Sequence, residues 1–323
     1  SDSGTIVASG TTTIVAGANN VVLDDAANNF GIVAITSAGT ATLVDVGAID
    51  IGASTVTTLN ITAGGAISDS GTIVASGTTT IVAGANNAVL DDAANNFGTV
   101  AVTSAGTATL VDVDAIDLGA SGVTTLNVTA GGAITDSGNL AVTGTSTFTS
   151  ANAQSVTLNN SNTFSILAFV ASAGTLANVT INDSDAVDLA ALTLTGNLSV
   201  TAGGNISDSG TLVVPGTTTL VAGTNTAILD EVANNFGTVA VTSATTATLV
   251  DVDAIDLGAS SVTTLNVTAA GAITDSGNLV VSGVSTFTTA NAQSITLNNT
   301  NTFSTLAFVA SAGTLADVTI NDS

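Results

Sequence analysis

Lysine, arginine, histidine, cysteine, methionine, tryptophan and tyrosine are all missing from the 323 residues, and proline occurs once, at Pro215. Without cysteine there is no disulfide framework and no thiolate chemistry. Without histidine, lysine, cysteine or tyrosine, acid–base catalysis would rest on carboxylates alone, and a Ser-His-Asp arrangement cannot be built. Without arginine or lysine there is no cationic clamp for a phosphate or an oxyanion. A trypsin-like protease finds nothing to cut, and no sulfur or indole is there to oxidise. Both traits suit life outside a cell. No apolar run reaches the ~18 residues of a membrane span, so no membrane insertion is expected. Ser1 stands in mid-motif with no signal peptide before it, so the segment reads as cut from a longer secreted polypeptide.

What is present is acidic, small and apolar. The chain has 24 acidic residues, of which only Glu231 is not Asp, and a formal charge of −24. Nucleic acid and anionic membranes are excluded as partners by sign alone. Yet 45% of the residues are hydrophobic, far too many for a disordered acidic tail. They are largely Ala, Val, Ile and Leu, a set that fits packed strands.

Repeats dominate the pattern. SDSGTIVASGTTTIVAGANN opens at Ser1 and returns at Ser68, with the variant SDSGTLVVPGTTTLVAGTNT at Ser207. A second module opens TDSGNLAVTGTSTFTSANAQSVTLNN at Thr135 and returns at Thr274. The order is A (1–67), A (68–134), B (135–206), A (207–273) and a shortened B (274–323). The first two A modules differ at seven positions, among them Val21 against Ala88 and Gly47 against Asp114. No linker or shift of composition interrupts the array, so residues 1–323 read as one continuous domain.

Within a module apolar and polar residues alternate, as in Val156-Thr157-Leu158 and Val179-Thr180-Ile181, and Gly, Asn, Asp or Ser closes each run of four to six. That is strand periodicity, with no helical spacing. Immunoglobulin-like sandwiches need about 100 residues each and a larger aromatic core than nine Phe provide. A solenoid needs only a thin core of small and β-branched side chains. The expected fold is therefore all-β, a parallel β-solenoid (β-helix). Coils of roughly 22 residues give three per A module and about 14–15 in all, each with three short strands. In this frame the Asn of Asn28-Asn29-Phe30, Asn95-Asn96-Phe97 and Asn234-Asn235-Phe236 sit at corners, where Asn tolerates left-handed backbone. The Phe residues fill the core, and Pro215 marks a strand-end turn.

The segments Leu126–Gly144 (LNVTAGGAITDSGNLAVTG) and Leu192–Leu212 (LTLTGNLSVTAGGNISDSGTL) resemble the repeats of filamentous-haemagglutinin-like large exoproteins and of autotransporter passengers. The resemblance covers the whole chain, through low-complexity motifs that identify a style of repeat. It implies export to the cell surface, a right-handed β-helix rod, and a part in adhesion, biofilm or contact-dependent competition.

Two acidic patterns invite a chemical reading. Asp-Ser-Gly recurs at Asp2, Asp69, Asp136, Asp208 and Asp275, once per module. Aspartic proteases use such loops, but recurrence at a turn in every module points to an Asx-turn. The second is D-V-D-A-I-D, with Asp112, Asp114 and Asp117 repeated as Asp251, Asp253 and Asp256 and thinned to Asp45 and Asp50. Asp oxygens are hard ligands that suit Ca²⁺, the one cofactor the residues suggest, although neither the glycine-aspartate nonapeptide nor an EF-hand loop is present. At roughly 4.8 Å per rung the coils would make a rod of ~70 Å carrying one charge per ~3 Å, so stability should rise with salt or divalent ions.

The expected role is structural. It is a secreted fibre or adhesin stalk, not an enzyme, with copies of itself as partners, end to end or side by side, and cell-surface or matrix glycans as further candidates. The alternatives are a Ca²⁺-dependent surface-layer or matrix scaffold, and an ice-binding solenoid suggested by Thr11-Thr12-Thr13 and Thr57-Thr58.

Overall fold

A computed structural model describes all residues, Ser1–Ser323. It is all-β, with 28 strands and no helix, wound as a parallel β-solenoid of about 16 turns. The chain forms two compact units, Ser1–Phe164 and Ser165–Ser323.

The first unit is built mainly from three kinds of strand. Three-residue strands such as Ile49–Ile51, Ile67–Asp69 and Ile116–Leu118 alternate with ten-residue strands such as Ser54–Ala63, Ile73–Val82 and Ser121–Ala130. Two strands of seventeen residues, Asn29–Asp45 and Asn96–Asp112, punctuate the series. Each ten-residue strand bends at a register shift, for example between Ala75 and Thr78. A coil is thus one short strand plus a bent one, whose register shift divides it into two segments.

Two parallel ladders run through this unit, one on each face of the coil. On the first face Ile49, Ile67, Ala88, Ala108, Leu126 and Ser146 are successive register partners. On the second face the series is Val21, Ala41, Leu59, Thr79, Val100, Leu118 and Asp136. Successive partners, such as Ile49 and Ile67 or Leu59 and Thr79, lie closer in sequence than the expected coil length. The turns are therefore tighter and more numerous than the repeat length suggests. The consequence is a change of face. Ala41, Leu59 and Thr79 lie on the second face, while their counterparts one module later, Ala108, Leu126 and Ser146, lie on the first. An A module spans seven half-turns, an odd number, and not three whole coils. The seventeen-residue strands are the crossing points. Residues 96–104 pair on the second face and residues 105–112 on the first.

The second unit repeats this plan. Val179, Leu198, Thr218, Val239, Leu257 and Asp275 form one series. Ile206, Ala227, Ala247, Leu265, Ser285 and Leu306 form the other.

Inside each coil the apolar partners stack directly on one another, and Ile67, Ile73, Leu59 and Leu110 are fully buried. Phe148 meets Phe164 edge to face, with centroids 6.0 Å apart. In the second unit Phe287 meets Phe303 in the same way and stacks on Phe308 at 5.9 Å. Such pairs add to the burial of their area. Pro215 does not end a strand. It lies inside Leu212–Val221 at the register shift between Val214 and Thr217, where a missing N–H is tolerated.

Candidate functional site: the acid stations of each repeat

With no cation anywhere in the side chains, every buried carboxylate must be held by neutral donors or lose its charge. The structure uses three kinds of station, and each recurs from module to module.

The first belongs to Asp-Ser-Gly. The carboxylate of Asp69 accepts a hydrogen bond from Asn95 Nδ2 at 2.6 Å and from the backbone N–H groups of Asp91 and Asp92, all on the next coil. Asn95 is fully buried, and its Oδ1 accepts the N–H of Ile73 at 2.7 Å. The Asp–Asn pair recurs as Asp2–Asn28, Asp136–Asn162, Asp208–Asn234 and Asp275–Asn301, at 2.6–2.8 Å. These Asp side chains staple one coil to the next, so the expected local Asx-turn is not their role. Nor are the Asn residues left-handed corners, since the only non-glycine residues with positive φ are Ala153 and Ala292. The glycine of the motif has its own reason. A Cβ on Gly138 would lie 2.2 Å from the backbone nitrogen of Ala120 on the adjacent coil.

The Asx-turn appears at the second station. Asp112 points inward at the end of its strand, where Oδ2 accepts the N–H of Phe97 and Oδ1 that of Asp114, each at 2.7 Å. Asp45 does the same with the N–H groups of Phe30 and Gly47, and Asp251 with those of Phe236 and Asp253. Strand alternation alone would send Val111 and Val113 inward and leave Asp112 on a solvated acidic face, and the structure reverses it. Asp112 is 2% exposed, whereas Val113 is 47% exposed. Burial pushes the carboxyls of Asp112 and Asp208 up from the usual value, and that of Asp251 up to about 6. For Asp251 the neighbouring Asp253 adds to the rise. At the half-buried Asp2, the Asn28 amide holds the carboxyl below the usual value.

At the third station the acid faces out. Asp117 accepts hydroxyl hydrogen bonds from Thr99 on the rung before and from Thr135 and Ser137 on the rung after. Asp256 accepts from Thr238, Thr274 and Ser276. The six residues singled out for Ca²⁺ are thereby dispersed. Asp112 and Asp251 are turned into the coil, and Asp114 and Asp253 sit on the turn with one Asn amide each, from Asn96 and Asn235. Asp117 and Asp256 stand on the other face. No three carboxylates come together to hold a metal ion. The Thr columns that ice binding would need are local too. On the second face of the first unit Thr40 pairs with Thr58 and Thr78 with Thr99, and then the outward acid Asp117 follows Thr99.

A family described as repeats of unknown function (DUF5649) matches the chain five times, at residues 1–37, 38–104, 105–170, 176–243 and 244–310. The chain belongs to that family. No curated protein and no solved structure matches it. The DUF5649 frame has a structural meaning here. Its boundaries at 37/38, 104/105 and 243/244 fall inside the seventeen-residue strands, where the chain passes from one face to the other. One DUF5649 repeat is one set of seven half-turns. The stations hidden from sequence reasoning were the Asn residues. Their only signal was an Asn at one fixed distance after each Asp-Ser-Gly Asp, as Asn95 follows Asp69 and Asn162 follows Asp136.

Proposed function

We propose that this DUF5649 array is a length-building segment of a secreted fibre or adhesin stalk, with no catalytic role. The observation that carries the reading is the Asp–Asn staple, built in the same way in all five modules. Its repetition supports a chain whose purpose is to add coils. The lack of tryptic sites and of oxidisable sulfur supports exposure outside the cell. The resemblance to exported exoprotein repeats supports the same location. Copies of the chain are its natural partners, through side-by-side or end-to-end contact, because unpaired strand edges template further pairing.

The test is done on intact cells of the producing organism. Antibodies to the chain should label their surface, and a protease that cuts after Asp should strip the label. Labelling only after the cells are broken would overturn the location. Deleting whole repeats should shorten the surface structure seen by electron microscopy in proportion to the length of chain removed.

A further inference from the structure

The second unit holds a groove of about 420 Å³ lined by Asn178, Thr180, Asn197, Ser199, Thr217 and Thr219. These residues come from three successive rungs. Thr180, Ser199 and Thr219 are register partners in one outward column, and Asn178, Asn197 and Thr217 stand immediately before Val179, Leu198 and Thr218, which are register partners too.

The B module departs here from the A plan. In the first A modules the positions of Asn178, Asn197 and Thr217 are held by Thr40, Thr58 and Thr78, and Gly196-Asn197 replaces the pair Thr57-Thr58. The two exchanges belong together. A Cβ on Gly196 would lie 2.4 Å from Asn178 Oδ1, and one on Gly216 would lie 2.4 Å from Asn197 Oδ1. Gly196 makes room for the Asn178 amide, while Gly216 is a glycine the A modules already carry as Gly10 and Gly77. Asn178 Oδ1 accepts the N–H of Asn197, and Asn197 Oδ1 accepts that of Thr217, each at 2.8 Å. The carbonyl ends are thus committed to the backbone, and no hydrogen bond engages the Nδ2 of the exposed Asn197, one of the groove's lining residues.

The lining selects the ligand class. A chain of charge −24 repels anions. A cation would seek carboxylates, and none lines the groove. An apolar ligand finds no exposed aromatic or large aliphatic side chain, because Val179 and Leu198 are fully buried. Hydroxyls that both donate and accept, beside amide donors, match a neutral polyhydroxylated molecule. The three rungs span about 10 Å, and alternate residues along a strand are about 6.8 Å apart, a footprint for two or three sugar rings. We infer that this groove binds a neutral oligosaccharide lying across the three rungs. It is a recognition element that goes beyond a spacer role, and the spacer role stands or falls without it.

The test uses the intact chain and three probes: maltohexaose, cellohexaose and the hexamer of N-acetylglucosamine. Polygalacturonate serves as an anionic control. Nuclear magnetic resonance follows the side-chain amides of Asn178 and Asn197. At least one neutral probe should shift both signals saturably, and polygalacturonate should not. Asn197→Thr, which restores the A-module residue, should weaken that binding at least tenfold while the melting temperature stays near that of the parent. Asn178→Thr should act likewise. The inference is overturned if none of the three probes shifts these amides, if polygalacturonate binds equally well, or if both variants bind as the parent does.

Discussion

Asn95 shows at the scale of one residue how an acidic chain without cations stays folded. Its amide donates a hydrogen bond to Asp69 and accepts one from the Ile73 backbone, inside a coil where it is wholly buried. Exchange to Asp keeps the size and removes the donor, leaving two carboxylates 2.6 Å apart. Asn95→Asp should cost about 3–5 kcal/mol at pH 7, the range for an uncompensated buried charge. The loss should shrink near pH 4, where one of the pair is protonated, so urea titrations at both pH values check the cause. A cost that is the same at both would deny the electrostatic account. Thr79 makes the opposite case. Its hydroxyl, with those of Ser146, Thr218 and Ser285, is buried without a partner. Thr79→Val removes an unsatisfied polar group at nearly constant volume and should stabilise by about 1 kcal/mol. Destabilisation in the same denaturant titration would mean that the hydroxyl has a bridging water.

The strand elements owe their form to close stacking of near-identical coils. Three-residue strands suffice because each is paired above and below, as Ile67–Asp69 is with Ile49–Ile51 and with Ala88 and Val89. Some of the tightest approaches between coils fall at the Asp-Ser-Gly glycines. Gly71, Gly138, Gly210 and Gly277 would each carry a Cβ within 2.4 Å of a backbone nitrogen. Gly138→Ala must push two coils apart and should destabilise by about 2–4 kcal/mol, within the range of severe core mutations. Hydrogen exchange should report it first at Ile116–Leu118 and Ile134–Asp136, and unchanged protection there would refute the stacking argument. Much of this was readable from the residues. Alternation such as Ile49-Asp50-Ile51 declares a strand with two faces, and small apolar residues declare a thin core. The pitch was not readable. Repeat length counts residues and not turns, so an A module divides as plausibly into three coils as into seven half-turns. The direction of Asp112 was hidden for a similar reason. In Val111-Asp112-Val113 polarity alone sends Val inward, and only the N–H groups of Phe97 and Asp114, the first of them distant in sequence, reverse it.

For the molecule as a whole, the acids and their neutral partners set an unusual response to solution conditions. Within each unit the odd number of half-turns moves a given module position to the other face in the next repeat, so outward acids such as Asp50 and Asp117 stand on different faces. Spreading the charge in this way lowers repulsion between neighbours but leaves the total of −24 intact. The buried acids act in the same direction as that repulsion. Asp112, Asp208 and Asp251 have carboxyls raised by burial, to about 6 for Asp251. A group whose folded value lies above its unfolded one binds protons more tightly when folded. Its contribution is therefore fully present below about pH 4 and is lost as the pH rises through about 6. For Asp251 the difference from the usual value of 3.8 is on the order of 3 kcal/mol. Asp2 acts in the opposite sense. Melting temperature should thus rise by roughly 5 °C or more between pH 7.5 and pH 5, where many proteins are flat or losing stability. At pH 7.5 it should also rise with about 0.5 M NaCl, through screening, and with millimolar Ca²⁺, through counterions gathered by the outward acids. The two agents separate the causes. Salt and Ca²⁺ relieve the long-range repulsion but leave the buried carboxyls of Asp112 and Asp251 out of reach. Part of the gain on acidification should therefore survive in high salt. A melting temperature that is lower at pH 5 than at pH 7.5, with or without salt, would show that the buried carboxylates are better held as anions than their surroundings indicate.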